Sequence, residues 1–285
     1  MQIDFNFKIP EFDPVELERA VSRRHEAAKA SVSVKGRFIG TSLGAWMERV
    51  KLAGVPVVPA SVIAELPREV FRRAEEMHEG DKMHWDAMAI ALSLVPENCM
   101  ARWDACSCLE LKGAMALGRA PTHAERTELP WHDPRAFDIL QEFPADSFHV
   151  WQRPWIEAMK VDGYPVEFRV FVRNGKVIGV ANYYPQRALP ETAEFLGLAQ
   201  RCEEATDRVV AYRTSTGEIP WMQTYAGGFD ESKVSATLDF FATQDGEVMF
   251  LEAGPPYGAG AHPCSFIDRE ISGVALKIAA GVQLR

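Results

Sequence analysis

Apolar and polar positions alternate with a period of two through two stretches in the second half of the chain. The first is PVEFRVFVRNGKVIGVANYYPQ, residues 165–186, and the second is ATLDFFATQDGEVMFLEAGPP, residues 236–256. Each carries a two-residue turn signal, Asn174-Gly175 or Asp245-Gly246, between β-branched and aromatic runs, so each reads as a β-hairpin. Counting outwards from Asn174-Gly175 sets Phe171 opposite Ile178, Arg169 opposite Val180 and Glu167 opposite Asn182. Val166, Phe168, Val170, Val172, Val177, Gly179, Ala181 and Tyr183 then form an apolar face. Glu167, Arg169, Asn182 and Tyr184 gather on the other. The same count from Asp245-Gly246 sets Gln244 opposite Glu247, Phe241 opposite Phe250 and Asp239 opposite Glu252.

The remaining elements follow from caps, breakers and periodicity. Asp13-Pro14-Val15-Glu16 opens a helix to about Ala30, and SVSVKGRFIG after it reads as a strand. TSLGAWMERVKLAG is a short helix stopped by Gly54, and GVPVVPASVIAELP is a proline-punctuated connector. Helices are expected over 67–78 and 82–94. A short strand reaches Arg102, and a helix then ends near Gly118. Residues 119–134 form a polar loop, and Asp133-Pro134 caps a short helix. FHVWQRPWIEAM is a strand leading into the first hairpin, 191–207 is a helix between the hairpins, and a last helix covers about 268–280. The order divides into a mostly helical N-terminal part at 1–97, a small lobe at 98–148 and a large lobe at 149–285. The fold class is α+β.

Composition narrows the function. The chain has 285 residues and a net charge of −9, without a basic block, which argues against broad binding of nucleic acid through its phosphates. Its five cysteines lack the paired spacing of a zinc site and are an odd set, so a reducing, cytoplasmic setting is expected. No stretch approaches the ~18 apolar residues of a membrane span, and the N-terminus lacks the pattern of a signal peptide.

The opposed acids carry the chemistry. Side chains directly across an antiparallel pair lie about 4.5–5.5 Å apart, and like charges there repel. Asp239 and Glu252 therefore ask for a cation, and hard oxygen ligands suit Mg2+; the other reading is two solvated acids at an open sheet end. The apolar neighbours Phe240, Met249 and Leu251 favour the metal. Other candidates carry less. His262 and Cys264 have no spacing that fixes a nucleophile pair, His78 and His84 lie at the wrong interval to share a helix face, and the chain contains no Walker lysine motif.

The order of these pieces resembles the ATP-grasp proteins. ARWDACS, DPRAFDIL, WQRPWI, VEFRVFV and LDFF…VMFLEAGP occur in the family order over residues 100–264. They are most similar to a divergent bacterial and phage branch, which is related to a eukaryotic cell-division-cycle family that assembles a translation factor. The resemblance implies an ATP-grasp fold, in which two α+β lobes with antiparallel sheets grip ATP. It implies that Arg102 binds phosphate and that Gln152, Arg153, Pro154 and Trp155 form the hinge on which adenine lies. Glu167, Arg169 and Asn182 would line the nucleotide site, with Arg169 facing the triphosphate, and Asp239 and Glu252 would hold Mg2+. Lys112 and Lys160 are candidates for a second phosphate-binding lysine, and Gly254 stands where many relatives carry asparagine.

The implied cofactors are ATP and Mg2+, with Arg169 and Arg102 as catalytic cations. The implied reaction activates a carboxylate as an acyl phosphate and joins it to an amine on a small molecule or peptide. An ATP-binding assembly factor with a protein partner, and a ligase acting on nucleic acid or its bases, are the alternatives. A phage-encoded chain would work in the host cytoplasm.

Overall fold

The computed structural model describes residues 43–70, 82–104, 119, 122, 124, 147–173, 175–183, 189–212, 234, 236–254 and 274–275. The helices expected at 14–30, near 107–118 and after Pro134 lie outside these residues, as do the strand expected near 31–40 and most of the helix expected at 67–78.

Two antiparallel hairpins lie side by side and make most of one sheet. β6 (Glu167–Arg173) and β7 (Lys176–Asn182) form the first hairpin, and β8 (Ala236–Ala242) and β9 (Val248–Gly254) form the second. β6 pairs with β8, and the strand order is β10-β7-β6-β8-β9, with β10 (Val274–Ala275) parallel to β7 at the edge. The final helix expected over 268–280 therefore gives way to strand at 274–275. One face of this sheet is apolar, with Val166, Phe168, Val170, Val180, Leu238, Phe240 and Phe250 buried in a single cluster.

Helix α3 (Ala193–Ala211) covers that face. Its buried residues are Phe195, Leu198, Ala199, Cys202, Ala205, Thr206, Val209 and Val210, which recur at the three- and four-residue spacing of one helix face. Thr192 caps its start by accepting from the Phe195 amide. The helix runs to Ala211, beyond the expected end at 207, because Val209 and Val210 continue the apolar stripe and its last carbonyls find a buried cation.

That cation comes from α1 (Leu43–Leu52). Arg49 donates through Nε to Val209 O at 3.0 Å, and through Nη2 to Val210 O at 3.3 Å and Tyr212 O at 3.0 Å. The last carbonyls of a helix lack partners within it and carry its negative dipole end, so a cation there is doubly favoured. Trp46, Val50 and Val55 join the same core as α3 and the sheet, and Gly54, with φ 69°, ends α1 as expected.

A second sheet has the order β1-β3-β2, all antiparallel, from β1 (Ser61–Pro67), β2 (Cys99–Trp103) and β3 (Ser147–Pro154). Helix α2 (Lys82–Ser93) packs against β1. β1 lies in the stretch read as a proline-punctuated connector. Pro59 and Pro67 fall before the strand and at its last position, so neither interrupts its interior, and Val62 to Leu66 pair with Trp151 to Phe148.

This pairing corrects the expected domain boundaries. Residues before 98 supply an edge strand to the small sheet and a helix to the core of the large one. β3, beginning at Ser147, belongs to the small sheet and not to the large lobe. Residues 155–159 connect the two sheets, followed by a small hairpin of β4 (Lys160–Val161) and β5 (Tyr164–Pro165). Met159 is anchored to the large sheet by its amide, which donates to Ala242 O.

Candidate functional site

The face of the large sheet away from α3 carries polar residues in rows. One row runs Ala181, Arg169, Asp239, Glu252 across β7, β6, β8 and β9, each residue the Cα partner of the next. Asp239 does stand opposite Glu252, but by another route than a two-residue turn. The turn is longer: Thr243 N donates to Glu247 O and Gly246 N to Thr243 O, with Gly246 at φ 79°. This shifts the register by one, pairing Phe241 with Met249 and Phe240 with Phe250 rather than Phe241 with Phe250. A bulge at Leu251 then restores it. An inserted residue bends the strand and re-aims side chains; here Leu251 and Glu252 both come to line the cleft.

The first hairpin contains a similar irregularity that does alter the site. Arg173 pairs with Lys176 and Val172 with Val177 as counted, but Ile178 is extra, so Phe171 meets Gly179 and Arg169 meets Ala181 rather than Val180. Asn182 lies opposite Phe168, buried on the core side, instead of opposite Glu167. Tyr183 takes the place expected for it: its amide donates to Glu167 O and its ring lies 4.7 Å from the Arg169 guanidinium carbon. The bulge removes Asn182 from the lining of the cleft and supplies an aromatic face that holds the arginine.

Arg169 and Asp239 form a buried bidentate pair, with Nε to Oδ1 and Nη2 to Oδ2 both 2.7 Å. Burial alone opposes the Arg169 charge most strongly, but Asp239, through its charge and hydrogen bonds, outweighs it, and the net shift of the guanidinium pKa is upward. The repulsion between the opposed acids is thus relieved from two sides. Arg169 holds Asp239, and Arg102 from β2 reaches across from the small sheet to Glu252 Oε2 at 2.5 Å.

On the small sheet, Met100 pairs with Arg153 and Arg102 with Trp151, which places Arg102 and Arg153 on the face turned towards β9. Arg153 donates through Nη2 to Leu251 O at 2.5 Å, while its buried Nε has no hydrogen-bond partner among the described residues. Burial, reinforced by Arg102 and only partly opposed by Glu252, lowers the Arg153 pKa to about 9. A cation that is 5% exposed, with a donor unused and a like charge beside it, is arranged to receive an anion.

The cleft between the sheets is lined by Arg102, Arg153, Trp155, Lys160, Glu167, Tyr183 and Glu252, with an apolar floor that includes Ala158 and Phe241. Of the residues expected in the hinge, Arg153, Pro154 and Trp155 line it. The Gln152 side chain faces the other way and donates to Ser61 Oγ. The Trp155 amide is bonded to Asn98 O and its indole to Glu157. Lys160 lines the cleft and pairs with Glu157 at 3.1 Å, whereas Lys112 lies outside the described residues. Among the described residues no cluster of three or more His, Cys, Asp or Glu forms a metal cage.

Sequence reasoning missed one further group on the same face of the small sheet. Asp104, almost fully buried, accepts from the His149 amide at 2.6 Å and from Trp151 Nε1 at 2.6 Å, with His149 Nδ1 at 2.9 Å. Only the pairing of β2 with β3 reveals it, because the residues lie more than forty positions apart.

A family model supplies the outside comparison. Residues 155–268 match the model of an ATP-grasp domain, the second family of its clade. The chain is an ATP-grasp protein. The ATP-grasp fold of this chain is similar to that of Cdc123 from Schizosaccharomyces pombe. Against the C-terminally truncated form the TM-score is 0.51 at 14% identity, covering 82% of this chain and 94% of that one. Against the Cdc123 structure without that truncation it is 0.50 at 14% identity, covering 86% and 96%. No curated protein sequence matches. Among the described residues, no helix of this ATP-grasp chain is long and apolar enough to cross a membrane.

Proposed function

We propose that this chain binds ATP with Mg2+ between its two sheets and uses it to join a carboxylate to an amine. The observation that carries this reading is the buried charge set of Arg102, Arg153 and Arg169 around the opposed pair Asp239 and Glu252, in a chain with an ATP-grasp domain. The adenine would lie against Trp155 and the apolar floor at the end of β3, with the triphosphate running towards Asp239. Asp239 and Glu252 suit Mg2+, which takes one or two carboxylates alongside phosphate oxygens. Mg2+ bound there would neutralise part of the phosphate charge.

The residues of the chain supply position and charge. Arg169, held by Tyr183 and Asp239, and Arg102, held by Glu252, would stabilise charge on the transferring phosphoryl group. In that transfer the carboxylate oxygen bonds to the γ-phosphorus as the bond to the β-bridging oxygen breaks, releasing ADP. The amine nitrogen then bonds to the acyl carbon, phosphate leaves and the amine loses a proton. The substrate is a small molecule or peptide that provides both groups.

The test is ADP release with ATP, Mg2+ and pooled amino acids and peptides. Release that depends on one pool is expected. Tight ATP binding without dependence on any pool would replace ligation with an ATP-binding assembly role. Asp239→Asn with Glu252→Gln should abolish the Mg2+-dependent part of ATP binding; an unchanged affinity would sink the metal assignment.

A further inference from the structure

The row next to the acids, further from the β8–β9 turn, runs Gly179, Phe171, Thr237, Gly254. Thr237 lies two residues from Asp239 on β8 and Gly254 two residues from Glu252 on β9, so both face the same side as the acids. Gly254 brings no side chain to that side. A Cβ built on it would meet Thr237 Oγ1 at 3.0 Å, so the hydroxyl leans across the strand pair and occupies the space a residue at 254 would fill. Thr237 is fully buried, beside a nearly buried Asp239. Asp239, Glu252 and the Thr237 hydroxyl are thus three hard oxygen donors in adjacent rows of one sheet face.

We infer that Thr237 Oγ1 is a further ligand for the divalent cation held by Asp239 and Glu252. This deepens the proposed function and rests on it. Mg2+ requires near-octahedral oxygen coordination, which two carboxylates and a nucleotide leave incomplete. A threonine hydroxyl is a known type of Mg2+ ligand in other phosphate sites. The glycine has a definite part here: it leaves the hydroxyl room to stand next to Glu252, and a methyl group at 254 would push it aside.

The test uses Mn2+ as the probe and reads free Mn2+ by electron paramagnetic resonance with the full chain and ATP. Thr237→Val keeps the shape and removes the oxygen, while Thr237→Ser keeps the oxygen. The valine variant is expected to bind Mn2+ at least about tenfold more weakly, the serine variant within a few-fold of the wild type, and both to bind ATP equally in EDTA. Gly254→Ala is the second arm, expected to weaken Mn2+ binding as the valine does, with little further loss when the two are combined. Wild-type Mn2+ affinity in both Thr237→Val and Gly254→Ala overturns the inference. If Asp239→Asn with Glu252→Gln also leaves Mn2+ affinity unchanged, the metal reading beneath it falls as well. Loss in the acid variant alone removes only Thr237.

Discussion

Arg153 is the residue whose physical situation most constrains the site. Two of its surroundings, burial and the neighbouring Arg102, disfavour its charge, and Glu252 compensates only in part. A triphosphate alongside it would reverse that balance, so the protonated form should be the one that binds. Affinity is therefore expected to hold below about pH 9 and to weaken as pH rises through about 9, where the free protein would surrender the charge. Calorimetric titration of ATP from pH 7.5 upwards checks this, with Arg153→Gln expected to bind more weakly and to lose that step. An Arg153→Gln profile that keeps the step would assign it to another group. Arg169 behaves differently, because Asp239 already holds its charge firmly. The contrast follows from position: Arg169 sits opposite an acid within one sheet, while Arg153 must look across the cleft.

At the scale of elements, the terminal turns of α3 depend on a side chain from another helix. Removing Arg49 takes its donors from the carbonyls of Val209, Val210 and Tyr212, and hydrogen bonds to a charged group are worth about 1.5–3 kcal/mol each. Arg49→Met is expected to destabilise the chain by about 2–4 kcal/mol in urea unfolding. A midpoint within error of the wild type would show that those carbonyls are satisfied otherwise. The sequence made α3 legible, because Phe195, Leu198, Cys202 and Val209 keep helical spacing over four turns. It made the two hairpins legible through alternation and turn glycines. It did not reveal the bulges at Ile178 and Leu251, since a bulge answers to twist and to the facing sheet rather than to local composition. In the second hairpin a longer turn and a bulge cancelled, and Asp239 still met Glu252. In the first nothing cancelled, and Asn182 changed faces with Tyr183. The strand β1 was hidden for another reason: its pairing with β3 joins segments that only the folded chain brings together.

At the scale of the whole molecule, the two sheets share their supports. The matched family region begins at residue 155, yet β1 and β3 of the small sheet, and α1 beneath the large one, precede it. A fragment of residues 98–285 would lack Trp46, Arg49 and Val50 from the main core and the edge strand of the small sheet. It is expected to show no cooperative thermal transition, whereas the full chain should melt cooperatively and at higher temperature with ATP and Mg2+ present, as mass action requires of a ligand bound only by the folded state. A sharp transition in the fragment would make the first 97 residues an independent unit after all.

The reach of Arg49 also sets a timetable for folding. Its partner Val209 lies 160 residues later in the chain, so at ordinary rates of synthesis α1 emerges on the order of ten seconds before the helix it caps exists. Until then the parts of α3 and β9 that meet Trp46 and the Arg49 guanidinium are still to be made. Contacts of such sequence separation close late and slowly, so the first part of the chain to be made is among the last to settle. Conditions that shield α1 during synthesis should therefore govern the yield of folded protein more than those that favour the hairpins.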